Sequence, residues 1–179
     1  MNKTMLRRYQ KALNYAMREL SRNIMPEEKL RKQSKGFYKM SKKRDIDIVA
    51  KTLYMEARGE GDHGLQAVAC VIVNRYRRKK WYSRINNVRS LANVCLKPYQ
   101  FSCWNKGDQC DTVLPRLNKE SEIWKKCVEF ATLAYFDYLP DIVGGADHYF
   151  ACTVKSTPDW AKKMKFVCKI GNHNFYKEV

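Results

Sequence analysis

The chain has 179 residues, 45% of them hydrophobic, and a formal net charge of +17. This is enough for one domain with a core plus an extension. No run of about eighteen apolar residues occurs, which excludes a membrane-spanning helix. The start, MNKTMLRRYQKALNYAMREL, interleaves charged and apolar residues where a signal peptide carries an unbroken apolar stretch. The expected product is therefore soluble and made in the cytoplasm, and a target beyond the membrane requires delivery by something else.

The charge is uneven: residues 1 to 44 carry +11 and residues 45 to 179 carry +6. A basic segment of this kind attracts any polyanion, whether nucleic acid, anionic lipid or an acidic envelope polymer, without specifying which. The seven cysteines, at 70, 95, 103, 110, 127, 152 and 168, form no CxxC pair, and an odd number cannot close fully into internal disulfides. Free thiols are expected, with Cys70 and Cys127 buried inside apolar helical patterns. Cys95, Cys103 and Cys110 are too loosely spaced for a zinc ribbon, so no metal is expected.

In chain order, Leu6, Tyr9, Leu13, Ala16, Met17, Leu20 and Ile24 recur in steps of three and four and predict an amphipathic helix over residues 4 to 25, ended by Pro26. That stripe either packs on the rest of the protein or lies on a membrane surface. Residues 26 to 44 read as a linker or a second short helix. From Asp45, placed as an N-cap or first-turn acid, Ile46, Val49, Ala50, Leu53 and Tyr54 predict a helix that stops at Glu56-Ala57-Arg58-Gly59, with Gly59 suited to a left-handed C-cap.

A second helix is expected from about 63 to 76, with Leu65, Val68, Ala69, Ile72 and Val73 inward. A short third one is expected over 85 to 95. A longer helix follows from about 118, carrying Ile123, Trp124, Cys127, Val128, Ala131, Ala134 and Tyr135 and ended by Pro140. Residues 100 to 105, 147 to 151 and 166 to 176 are short, aromatic-rich and bounded by Gly, Pro or Asp, as strands are. The expected class is α+β, mainly helical with a small antiparallel sheet, and the expected division is an extension over 1 to 44 and a catalytic domain over 45 to 179.

Glu56 is the first candidate for chemistry. The C-terminal end of a helix carries partial negative charge and disfavours an ionised carboxylate there, which suits a general acid that must hold its proton. An ordinary surface glutamate paired with Arg58 explains the same residues. Three later segments bear on the choice: PYQFSCWN over 98 to 105, ADHYF over 146 to 150 and IGNHNFY over 170 to 176. They mix amides, hydroxyls and aromatic rings, the groups that bind sugars, and equally the groups that hold a small sheet together.

Taken together, EARGEGDHGLQAVACVIVNR over 56 to 75, YQFSCWN over 99 to 105, ADHYF, TPDWAKKM over 157 to 164 and KIGNHNFYK over 169 to 177 resemble the SleB-type cell wall hydrolases. The resemblance spans roughly residues 45 to 179, and residues 1 to 44 lie outside it. It implies a lysozyme-like fold acting on the glycan of peptidoglycan, with Glu56 as catalytic acid. Gln100, Phe101, Ser102, His148, Tyr149, Asn172 and His173 become candidate cleft residues, while Asn74 and Arg75 match a structural pair tying the second helix to the first.

Glycosidases commonly use two carboxylates, and only Glu60 and Asp62 are near Glu56 in sequence. A lytic transglycosylase needs one, and the resemblance favours that route. A muramidase with Glu60 or Asp62 positioning water is the alternative. A zinc amidase would have to draw on His63, His148 and His173, and a nucleic-acid binder would rest on charge alone. The expected partner is peptidoglycan, with no cofactor and no specific nucleic acid. Residues 1 to 44 are expected to engage an anionic envelope surface, and the protein to be a monomeric phage endolysin released by a holin-type pore.

Overall fold

The computed structural model describes Asn14, residues 36 to 79, 84 and 85, and 88 to 179. The side chains of the stripe expected between residues 4 and 25 lie outside the described residues.

Helix α1 spans Gly36–Ala57. It runs without a break through position 45, so residues 36 to 44 are neither linker nor separate helix. From Phe37 to Arg58 the sequence has no proline or glycine, and its KMSKKR run is made largely of residues that tolerate a helix well. Asp45 is accordingly not a cap of its own helix. Buried at mid-helix, it accepts the backbone N–H of Ala92 at 3.0 Å, while Ser90 Oγ accepts that of Asn93 at 3.1 Å. The two acceptors satisfy orphan donors at the start of α3, Leu91–Leu96. Burial raises the Asp45 carboxyl above its usual range, and the bonds from Ala92 and Ser90 oppose this.

Helix α2, Gly61–Arg78, is the centre of the core. Besides the expected Leu65, Val68, Ala69, Ile72 and Val73, it buries Ala67, Cys70 and Val71. A helix apolar all round is surrounded rather than laid on a surface, and α1, α3 and α5 pack about it. The chain turn before α2 is made by Gly61 at φ +67, not by Gly59 as the sequence suggested. A two-residue hairpin, β1 Arg84–Ile85 and β2 Val88–Arg89, precedes α3 where one helix was expected over 85 to 95. Residues 100 to 105 form a 3-10 turn, Ser102–Trp104, instead of a strand, closed by Trp104 N–H to Phe101 O and Asn105 N–H to Ser102 O.

A short α4, Gln109–Thr112, and a second 3-10 turn, Leu114–Arg116, lead to α5, Glu122–Tyr135. Ser121 Oγ accepts the Trp124 N–H at the start of α5, and Asp137, at φ +59, turns the chain away well before Pro140. The sheet is antiparallel in the order β3 His148–Ala151, β5 His173–Lys177, β4 Lys165–Ile170. A one-turn helix, α6 Asp159–Lys162, precedes β4. The class is α+β, mainly helical with a small antiparallel sheet, as expected.

Asn74 and Arg75 close the join between the helices and the sheet. Asn74 Nδ2 donates to Ala146 O at 2.9 Å, and Arg75 donates through Nε to Asp147 O at 2.7 Å and through Nη1 to Gln100 O at 3.1 Å. Both are structural, and these bonds tie α2 to the segments leading into β3 and the 3-10 turn, where the sequence pointed to α1. Asn74→Ala should cost about 1–3 kcal/mol, because it leaves the Ala146 carbonyl unpaired in the interior. A lower urea midpoint at unchanged m value would show this, and an unmoved midpoint would show the bond to be dispensable.

Candidate active site

Glu56 sits in the last turn of α1, half-exposed, on the helix that carries buried Leu53 and Thr52. Its Oε2 accepts the hydroxyl hydrogen of Tyr149, from β3, at 2.7 Å. Burial, then the adjacent Glu56 charge, raise the Tyr149 phenol well above its ordinary range, so it stays protonated and remains a donor. Arg58 does not pair with Glu56. It folds back to donate to Met55 O at 3.0 Å and Tyr54 O at 3.3 Å, and reaches Gln109 Oε1 at 2.6 Å. An arginine that serves the open carbonyls at the helix C-terminus leaves the carboxylate to other partners.

Behind Glu56 the wall is made by residues that sequence reasoning did not assign. Cys103, fully buried in the first 3-10 turn, lies against it, and burial followed by the Glu56 charge pushes the thiol upward. Trp104 Nε1 donates to Thr52 Oγ1 at 3.0 Å, which fixes the turn one helical repeat before Glu56. Thr52 is four residues before Glu56 and so on its face, a spacing readable in the sequence. Cys103 stands inside the YQFSCWN segment but draws attention there mainly as a metal ligand.

The predicted cleft residues separate. Strand alternation places Tyr149, Phe175 and His173 on one face of the sheet and His148, Phe150 and Tyr176 on the other. Tyr149 and His173 touch, their rings edge-on with centroids 5.0 Å apart. His173 is only 8% exposed, its Nδ1 buried without a partner; burial lowers its pKa, while Glu60 and Glu56 oppose that shift. His148 belongs to the outer face, where it packs on Trp160 and bonds through Nδ1 to Asp147 Oδ1 at 3.0 Å. It therefore does not join Glu56, because a side chain adjacent to Tyr149 on a strand must point the other way.

Asn172, in the β4–β5 turn, is held by Glu60: Oε2 accepts its backbone N–H at 2.8 Å and Oε1 its Nδ2 at 3.1 Å. Phe101 is buried, with the Arg75 guanidinium 4.8 Å from its ring centroid. Gln100 is anchored through its carbonyl to Arg75, and Ser102 is exposed at the start of its 3-10 turn. Asp62 is turned to Lys126 at 3.2 Å.

The sequence model of the cell wall hydrolase family matches residues 59–176. The chain belongs to that family. The match begins three residues after Glu56 and includes Tyr149, Asn172 and His173. Among solved structures, this cell wall hydrolase is similar to the catalytic domain of the germination-specific lytic transglycosylase SleB from Bacillus anthracis. Identity is 28%, TM-score 0.53, with 75% of this chain and 94% of that one covered. It is similar as well to the catalytic domain of the Bacillus cereus SleB protein, at 30% identity and TM-score 0.53 over 75% of this chain and 91% of that one. No curated protein matches the sequence. The expected SleB-type membership thus holds, and the chain is an enzyme acting on peptidoglycan.

Tyr149→Phe removes the hydroxyl that holds Glu56 while keeping the ring against His173. Turnover of purified peptidoglycan should fall about 10- to 100-fold, the range for losing a hydrogen bond to a charged group. Full activity would show that Glu56 needs no such support.

Proposed function

We propose that this enzyme is a lytic transglycosylase that cleaves the bond between N-acetylmuramic acid and N-acetylglucosamine with Glu56 as sole acid and base. The observation that carries this reading is the isolation of Glu56 from its sequence neighbours. Glu60 has both oxygens engaged by Asn172, and Asp62 is drawn to Lys126. Both carboxylates are engaged elsewhere, which favours a reaction with one carboxyl group over a muramidase in which either of them positions water. The SleB structure from Bacillus anthracis, a lytic transglycosylase by description, supports the same choice.

In the first step Glu56 gives its proton to the glycosidic oxygen as the bond to C1 of N-acetylmuramic acid breaks. The carboxylate formed then takes the proton of that sugar's C6 hydroxyl, whose oxygen closes on C1. The products are a 1,6-anhydro end and a free hydroxyl on the departing sugar, with no water consumed. Tyr149 holds Oε2 and so directs the other carboxyl oxygen to this work, an orientation that both proton transfers need.

The zinc-amidase reading is disfavoured by the register, which sets His148 and His173 on opposite faces of the sheet. Family membership sets aside the purely nucleic-acid-binding one. Contact of residues 1 to 44 with an anionic envelope belongs to the proposal, on the strength of the +11 charge of that segment.

Glu56→Gln keeps size and polarity but has no proton to give. Its rate on purified sacculi should fall at least about 10²-fold, within the range of general acid and base catalysis, with an unchanged circular dichroism spectrum. Wild-type rates would remove Glu56 from the mechanism.

A further inference from the structure

Glu60 begins the turn into α2 and has no part in the proton transfers of Glu56. Its surroundings are nonetheless specific. A Cβ on Gly64 would stand 2.1 Å from Glu60 Cβ, and one on Gly171, itself at φ +55, would stand 2.3 Å from Glu60 Oε2. Two glycines far apart in sequence therefore leave the space this side chain fills. Glycine within a helix costs backbone entropy, and Gly64 is such a residue. A partly exposed carboxylate returns little stability from a surface contact, so stability alone does not account for the slot.

The bonds within it impose an orientation. The Asn172 backbone N–H holds the Glu60 carboxyl below its usual range, so at neutral pH it is a carboxylate that only accepts. The amide nitrogen of Asn172 must face it, since the amide oxygen would be repelled. Asn172 Oδ1 is thereby turned away from Glu60, on an exposed residue next to His173. His173 packs on Tyr149, Tyr149 holds Glu56, and both Glu60 and Glu56 are near enough to His173 to act on its charge, so this acceptor stands in the neighbourhood of the reacting carboxyl.

We propose that Glu60 is a positioning residue for substrate, locking Asn172 so that its Oδ1 accepts an N–H or O–H donor of the glycan strand beside Glu56. The inference rests on the reading of Glu56 as acid and base. Its effect belongs to binding, and it acts through Asn172 alone.

Initial rates on soluble glycan fragments, taken over a range of concentration, separate KM from kcat. E60Q and Asn172→Ala should each raise KM about tenfold, the scale of one hydrogen bond to substrate, with kcat within about twofold of wild type. The double variant should be no worse than either single one, because the two side chains act as one unit. An unchanged KM, additive effects, or a fall in kcat without a rise in KM would overturn the role. Should E60Q fail to fold, Asn172→Asp on the exposed turn carries the same test. Repulsion from Glu60 should raise KM by a similar factor while the melting temperature stays within a few degrees, and an unchanged KM overturns the proposal. Glu56→Gln assayed in parallel separates the two readings. If it is inactive while E60Q has wild-type KM, only the positioning role fails; if it is fully active, the reading of Glu56 fails first.

Discussion

The hydrogen bond from Tyr149 to Glu56 joins residues 93 positions apart and holds the end of a helix against the face of a sheet. Helix ends are places where backbone carbonyls lack partners, and a carboxylate there needs both a reason to stay and a fixed direction. Arg58 answers the first need by taking up the Tyr54 and Met55 carbonyls. Tyr149 answers the second. Because its phenol is buried and stays protonated, the bond has one sense, from tyrosine to glutamate.

That bond can form only if β3 arrives at the right height and register, which is the work of Arg75. The residue is 5% exposed in the last turns of α2, and its guanidinium donates to two carbonyls, one just before β3 and one just before the 3-10 turn that carries Cys103 and Trp104. A planar group with several donors in a fixed fork can join two chain segments at once, which a lysine cannot do in the same way. Asn74 adds a bond to Ala146, and Asp147 is held by Arg78 and His148. Burial works against the Asp147 charge, but the bond from His148, the Glu178 N–H and the Arg78 charge outweigh it and keep the carboxyl below its usual range. The wall of the site is thus set by polar groups inside the fold, and the outer sheet face, with His148, Trp160 and Tyr176, is left to aromatic packing.

Much of this was legible in the sequence, for physical reasons. Helices α2 and α5, and α1 from residue 45 onward, follow from apolar spacing, and β3 follows from a short aromatic run, whereas the single segment expected over 166 to 176 is two strands, β4 and β5, joined by a turn at Gly171-Asn172. What periodicity could not show is where long-range polar partners would act. Asp45 reads as the cap of its own helix, yet it caps α3. Residues 100 to 105 have the composition of a strand, but their backbone bonds close locally into a 3-10 turn. His148 and Tyr149 share a motif, and only the pairing of β3 with β5 reveals that they face apart. Glu60 stands near Glu56 in sequence, and only its contact with Asn172, 112 residues away, shows that it is otherwise engaged.

In the proposed reaction one carboxyl group serves as acid and then as base without water entering. Mass spectrometry of peptidoglycan digested in ¹⁸O-enriched water tests this directly. Glycan ends in the 1,6-anhydro form, with no ¹⁸O incorporated, are the predicted result. Reducing ends carrying ¹⁸O would show hydrolysis and contradict the single-carboxylate mechanism, and released peptides on intact glycan would contradict glycosidic cleavage itself.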